Sequence, residues 1–277
     1  MRVSKKVWVV TGAGSGMGRE LVLQLLDRGA RVAAVDRNPE GLAEVATTAA
    51  AGPRLSTHVL DITDRAAVHA LPAEVEAAHG AVDGLVNNAG IIQPFVPVAD
   101  LDDAIVQRVL DVNLMGTLHL VQAFLPRLLT RPEAHIVNVS SMGGFFPFPG
   151  QTMYGASKAA VKLLSEGLYA ELLDTPVRVT VVFPGAVDTS ITANSGVEQP
   201  TSDSDGSVPM TSADKAARTI LKGIEKDRLH VYVGLDAKLM NLAIKVAPRP
   251  AIRFVQKQMS KHLGAPETSI TLTHPDE

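Results

Sequence analysis

The sequence predicts an α/β protein built on one doubly wound, seven-stranded parallel sheet with a short helical C-terminal extension. Short β-branched runs alternate with longer amphipathic stretches through most of the chain. The runs are near-continuously apolar rather than alternating, as parallel strands covered on both faces require. Strand, glycine-rich turn and helix follow one another directly at the chain start. Strands are expected at Val7–Thr11, Arg31–Val35, Leu55–Leu60, Gly84–Asn87, His135–Val139, Val177–Phe183 and Leu229–Val233. Helices are expected between them at Met17–Asp27, Pro39–Ala51, Asp64–His79, Asp103–Leu129, Thr152–Leu173 and Ser212–Lys226. Such a βαβ series makes one domain over 1–234, with 235–277 as extension and tail.

Composition narrows the chemistry. A net charge of -3 and a pI near 6.2 argue against a nucleic-acid partner, which calls for a basic excess. The chain has no cysteine, so disulfides, thiol nucleophiles and cysteine-ligated zinc are ruled out. No two of the eight histidines stand four apart, so no helical metal site is expected, nor any metal at all. The basic opening Arg2 to Lys6 precedes an apolar run of only Val7 to Val10, too short for a signal peptide. No stretch is expected to span a bilayer, and a cytoplasmic location follows.

Two regions break the βα rhythm. Thr189–Ala213 is rich in Ser, Thr, Asp and Gly without clear periodicity and reads as a functional lid, here a substrate loop, or as a disordered loop. Ala237–Gly264 carries six Lys/Arg and no Asp or Glu, interleaved with apolar residues, and Pro248 and Pro250 divide it into two short helical pieces.

The first strand runs into Thr11-Gly12-Ala13-Gly14-Ser15-Gly16-Met17-Gly18 and then a helix. Glycines let the backbone turn tightly and let a pyrophosphate approach its N–H groups, where the helix N-terminus adds free donors. Such a turn alone is weak evidence; its place between strand and helix points to dinucleotide binding. Asp36 ends the second strand, 18 residues after Gly18, where a carboxylate can accept bonds from ribose hydroxyls. Arg37 follows it. Farther on, Tyr154 and Lys158 stand four apart in a helical stretch and share one face. A phenol titrates near ~10, and a neighbouring ammonium favours its ionised form, which suits proton exchange with an alcohol.

Together, TGxxxGxG at Thr11–Gly18, Asn87-Asn88-Ala89-Gly90, Ser140-Ser141, Tyr154/Lys158, Asp61, Asn113 and Pro184-Gly185-Ala186-Val187-Asp188-Thr189 resemble the single-domain short-chain dehydrogenases/reductases. The resemblance runs in order from about Val7 to Thr189 and implies a Rossmann-like catalytic domain. It makes Tyr154 the general acid in reduction and base in oxidation, and Lys158 the group that holds the nicotinamide ribose and lowers the Tyr154 pKa. Ser141, 13 residues before Tyr154, would hold the substrate oxygen, in preference to Ser140 at 14. Asn113 would hold a water linking Lys158 to solvent. For the cofactor, the loop residues Gly12, Ser15, Gly16, Met17 and Gly18 would meet the pyrophosphate, and Asp36 the adenosine ribose, while Arg37 would stack on adenine or lie in solvent, ahead of swinging over to meet a 2'-phosphate. Asp61 and Ile62 would meet adenine, and Asn88, Ala89 and Gly90 would pack beneath the ribose. Pro184, Gly185, Val187 and Thr189 would meet the carboxamide.

The expected reaction is metal-independent hydride transfer between NAD(H) and a secondary alcohol or ketone. NADP ranks second, because Asp36 is anionic and Ser15 supplies no positive charge. Rival readings are an NADPH-dependent carbonyl reductase and a non-catalytic NAD(P) sensor, which would have no need of Asn113, Ser141, Tyr154 and Lys158 together. A homodimer or homotetramer is expected through Asp103–Leu129 and Thr152–Leu173. The C-terminal extension is read first as a helical cover on the domain or a neighbouring subunit. Contact with an anionic membrane ranks second. Phe145, Phe146 and Phe148 line a greasy pocket or simply pack.

Overall fold

A computed structural model describes residues 1–197 and 210–260. Seven parallel strands form the sheet: β1 (Val7–Thr11), β2 (Arg31–Asp36), β3 (Leu55–Val59), β4 (Gly84–Asn87), β5 (Ala134–Val139), β6 (Val177–Pro184) and β9 (His230–Val233), in the order β3-β2-β1-β4-β5-β6-β9. Two-residue strands β7 (Val187–Asp188) and β8 (Thr211–Ser212) pair beside it. The helices are α1 (Gly16–Asp27), α2 (Pro39–Ala49), α3 (Arg65–His79), α4 (Asp103–Leu110), α5 (Thr117–Leu128), α6 (Thr152–Glu171), α7 (Ile191–Ser195), α8 (Ala213–Glu225), α9 (Leu235–Val246) and α10 (Pro248–Ser260). Residues 198–209, within the stretch Thr189–Ala213 expected as a substrate loop, and the tail beyond 260 lie outside the described residues.

Alternation along each buried strand feeds two apolar layers. Trp8 and Val10 of β1 pack with Leu21 and Leu25 of α1 and Ile220 and Ile224 of α8. Val7 and Val9 face the other way, onto Leu71 and Val75 of α3 and Phe124 and Leu128 of α5. Strand order reverses between β1 and β4, which pair in register as Val10↔Val86, so a crevice opens at their carboxyl ends.

The structure amends three expectations. β3 is not covered on both faces: Thr57 and Val59 are exposed, because β3 is the sheet edge. Asp103–Leu129 is not a regular helix, since a six-residue π turn, Asp111–Gly116, joins α4 to α5. That same run, Asp103–Leu128, is also long and apolar enough by length and composition to cross a bilayer, against expectation. Val109, Leu120, Val121 and Phe124 are nevertheless buried in this molecule, where α5 packs on α3, β4 and β5 as an amphipathic core helix.

Candidate active site

The glycine turn fits a close ligand approach for reasons visible at each glycine. Gly12 (φ +65°) and Gly16 (φ +50°) are left-handed, a region costly for other residues. A side chain on Gly12 would also come 2.9 Å from Ala89 Cα, and one on Gly18 would strike the Gly12 carbonyl. Gly18 therefore serves the packing of α1 on the turn, and it does not line the crevice. Thr11 Oγ1 accepts from the Asn88 (3.1 Å) and Ala89 (3.2 Å) N–H groups, and Asn88 Nδ2 donates back to the Thr11 carbonyl (3.0 Å). These bonds lock the Asn88–Gly90 segment to the turn. Ser15 makes no capping bond to α1, so the first helical N–H groups lack an acceptor within the helix.

These elements enclose a cleft of about 210 Å³ lined by Gly12, Ser15, Gly16, Met17, Asp36, Arg37, Asp61, Ile62, Asn88, Ala89, Gly90 and Thr189, all singled out in the sequence. Asp36 is fixed at one end: Oδ2 accepts from Gly14 N–H (2.8 Å) and Oδ1 from Asn38 N–H (2.9 Å). Arg37 is drawn away from it, donating to the Asn194 carbonyl of α7 (2.9 Å). Asn194 Nδ2 in turn donates to Ser15 Oγ (2.8 Å), so α7 bridges the two rims of the cleft. Asp61 bonds within its own turn, to Thr63. A dinucleotide fits this set: left-handed glycines, open helix donors and a carboxylate at the far end.

The second cluster forms where β5 ends. Ser140 is buried, and its hydroxyl donates to the Lys158 carbonyl (2.7 Å). Ser141 Oγ accepts from the Gly143 N–H (3.0 Å), and a Cβ on Gly143 would stand 3.4 Å from Ser141 Oγ and 3.3 Å from the Tyr154 ring, so the two side chains meet there. Burial pushes the Tyr154 phenol above its ordinary pKa, and Ser141 opposes that rise. The resemblance implied a downward pull from Lys158; burial and Ser141 are instead the two causes acting here. Lys158, 4% exposed, donates to the Val139 carbonyl (3.0 Å), and burial lowers its pKa to about 8. Gly90 makes room for it: a Cβ there would stand 3.0 Å from Lys158 Nζ and 3.1 Å from Asn113 Oδ1.

Asn113 occupies the π turn, fully buried; such turns recur at functional sites. Its side chain accepts from Ile91 N–H (2.9 Å) and donates to the Ile91 carbonyl (3.0 Å) and Ser157 Oγ (3.0 Å). Ser157 donates to the Tyr154 carbonyl (2.7 Å), so Asn113 ties the segment after Gly90 to the helix carrying Tyr154.

Sequence reasoning missed three residues. Gln93 Oε1 accepts from the Met153 and Tyr154 N–H groups (2.9 Å each), and Gln93 Nε2 donates to the Gly150 carbonyl (2.9 Å), seating the first turn of α6. Asn194 forms the bridge just described. Asp236 Oδ2 accepts from Ala186 N–H (2.6 Å) and lies where a Gly185 side chain would stand. These partners are 50 or more residues apart, and no local pattern marks them. Pro184, Gly185 and Val187 lie at this Asp236 contact and the β7–β8 pairing rather than on the cleft wall. The phenylalanines pack: Phe145 sits edge-on to Phe183 (5.5 Å) and Tyr232 (6.0 Å), and fully buried Phe146 lies against Phe148 (5.6 Å).

Comparison with known proteins agrees with this layout. The chain is 37% identical over 242 residues to 1-deoxy-11-beta-hydroxypentalenate dehydrogenase of Streptomyces avermitilis, covering 86% of this chain and 88% of that protein. A short-chain dehydrogenase/reductase from Burkholderia phymatum, solved with NAD, matches with a TM-score of 0.79 at 27% identity, over 89% of this chain and 96% of that one. One from Burkholderia cenocepacia, solved with NADP, matches at 0.76 and 29%, over 96% and 100%. Residues 6–200 match the short chain dehydrogenase family. The chain therefore belongs to the short-chain dehydrogenases, as a nicotinamide-dependent oxidoreductase.

Proposed function

We propose that the enzyme interconverts a secondary alcohol and its ketone with NAD(H), without metal, and with Tyr154 as the proton-transfer group. The carrying observation is the meeting of Ser141 and Tyr154 beside Gly143, at the end of β5 and one helical turn from Lys158. A bound nicotinamide supplies the hydride donor or acceptor. In reduction, Ser141 holds the carbonyl oxygen and Tyr154 gives it a proton; in oxidation, Tyr154 takes the hydroxyl proton back. A phenol kept protonated by burial is the form that donates. Lys158 holds the nicotinamide ribose, and Asn113 holds the water through which Lys158 exchanges with solvent. The turn from Gly12 to Met17 takes the pyrophosphate and Asp36 the ribose hydroxyls, which favours NAD over NADP. The relative named for a hydroxypentalenate supports an alcohol carbon as the reacting centre.

We place the enzyme in the cytoplasm, as a homodimer or homotetramer formed through α4–α5 and α6. Met115, Leu163, Tyr169 and Leu173, exposed on or beside those helices, support that assembly. Tyr154→Phe tests the central assignment. Turnover over a panel of alcohols and ketones should vanish while nicotinamide binding persists, since only the transferable proton is lost. Residual turnover within tenfold of the parent would remove Tyr154 from this role, and no turnover by the parent on any substrate would favour the sensor.

A further inference from the structure

The C-terminal hairpin of α9 and α10 carries a surface that the reaction does not use. Leu235, Leu239, Leu242 and Val246 recur along one side of α9 and are 70%, 52%, 61% and 75% exposed. Phe254 of α10 is 58% exposed. Between the two helices lies an open apolar trough of about 510 Å³, lined by Leu239, Met240, Val246, Pro250 and Phe254 among others. Among the described residues, nothing of this chain covers that stripe.

Charge accompanies this apolar stripe. Over Leu235–Ser260 the sequence has Lys238, Lys245, Arg249, Arg253 and Lys257 against Asp236 alone. The Asp236 carboxylate is turned inward, onto the Ala186 N–H. Arg249, Arg253 and Lys257 follow at four-residue steps and share one face of α10 beside Phe254. Lys238, Lys245, Arg249 and Arg253 have no ion-pair partner among the described residues.

We infer that the α9–α10 hairpin is an interfacial element that lays its apolar stripe on an anionic lipid surface. Leucine, valine and phenylalanine flanked by Lys/Arg is the make-up by which amphipathic helices lie in a membrane interface. Anionic headgroups attract such cations. A second copy of the chain fits less well. Two-fold pairing sets a patch against itself, so it would bring Lys238, Lys245, Arg249 and Arg253 toward the same four cations of a second copy, whereas an anionic leaflet neutralises them. α9 also packs on the turn Met142–Gly144 next to Ser141, which brings the reaction end of the molecule near the bilayer. The inference stands on the hairpin alone and not on the proposed reaction.

Cosedimentation of the full chain with phosphatidylcholine vesicles, with and without phosphatidylserine, tests it. The protein should pellet with the anionic vesicles and not with phosphatidylcholine alone, and raised salt should release it. Arg249→Glu/Arg253→Glu and Leu242→Glu/Val246→Glu should each lower partitioning at least about tenfold, with unchanged circular dichroism and melting temperature. The milder Arg249→Gln/Arg253→Gln pair serves if either variant fails to fold, and it too should weaken binding. Absence of pelleting, equal pelleting with both vesicle types, or full binding by the charge variants would overturn the inference. So would light scattering that showed a dimer broken by Leu242→Glu/Val246→Glu in a protein that ignores vesicles, because the hairpin would then join two copies.

Discussion

His135, at the foot of the strand that delivers Ser141, makes the molecule sensitive to acid in a way that can be worked out from its surroundings. The residue is fully buried. Thr180 donates its hydroxyl proton to the Arg228 carbonyl (2.8 Å), so its oxygen must accept from His135 Nε2–H (2.8 Å). That leaves His135 Nδ1 as the unprotonated nitrogen, buried and without a partner. A second proton would have to go there, with no acceptor to meet it. Burial above all, then the N-terminal ammonium and Arg178, lowers the pKa from 6.5 to about 3. Between pH 6.5 and 3 the unfolded chain therefore binds a proton that the native chain refuses. Stability from this group is complete above pH 6.5 and is lost as the pH falls toward 3. At ~1.4 kcal/mol per pH unit, it should have cost about 2 to 3 kcal/mol by pH 4.5. Urea unfolding of the parent and of His135→Gln, which keeps a donor toward Thr180, should reveal it between pH 7.5 and 4.5. The variant is less stable at neutral pH but should lose about 2 kcal/mol less on acidification. Parallel losses in the two proteins would show that His135 is not the group that senses acid.

Ser141→Ala should lower kcat on an active substrate about a hundredfold and leave melting nearly unchanged. Ser140→Ala removes the buried bond to the Lys158 carbonyl and should instead cost about 1 kcal/mol of stability. Steady-state kinetics and thermal melts on both variants check this, and equal loss of turnover would reverse the choice of serine. Unmodified enzyme should prefer NAD over NADP at least about tenfold in kcat/KM, since a charge repulsion at 4 Å is worth roughly 1 to 4 kcal/mol. Asp36→Ala should narrow or reverse that preference and also raise KM for NAD, because the Gly14 and Asn38 N–H groups lose their acceptor. Equal or better use of NADP by the parent would assign the choice to Arg37.

What could be read ahead of the structure was whatever depends on short range. Apolar runs four to eight residues long mark parallel strands because both faces are covered, and this holds for β1, β2, β4, β5 and β6. It fails at β3, where being at an edge is a property of strand order that the segment itself does not encode. The glycine turn was legible because its conformations exclude side chains locally. The Tyr154/Lys158 pair was legible because a four-residue step sets two side chains on one helix face wherever the helix lies.

Tertiary structure decided everything that needs two distant segments. The family's spacing preferred Ser141 to Ser140; in the fold, just past β5, the Ser140 hydroxyl enters the core at the Lys158 carbonyl while Ser141 stands with Tyr154 beside Gly143. The π turn at Asn113, the Gln93 bonds that seat α6, and the α7 bridge from Arg37 to Ser15 have no local signature, because each exists only once the sheet has brought remote chain together. The basic, apolar character of the C-terminal extension was written in its residues. Its exposed stripe was not, because periodicity gives a helix an apolar side and only packing determines whether anything of this chain covers it.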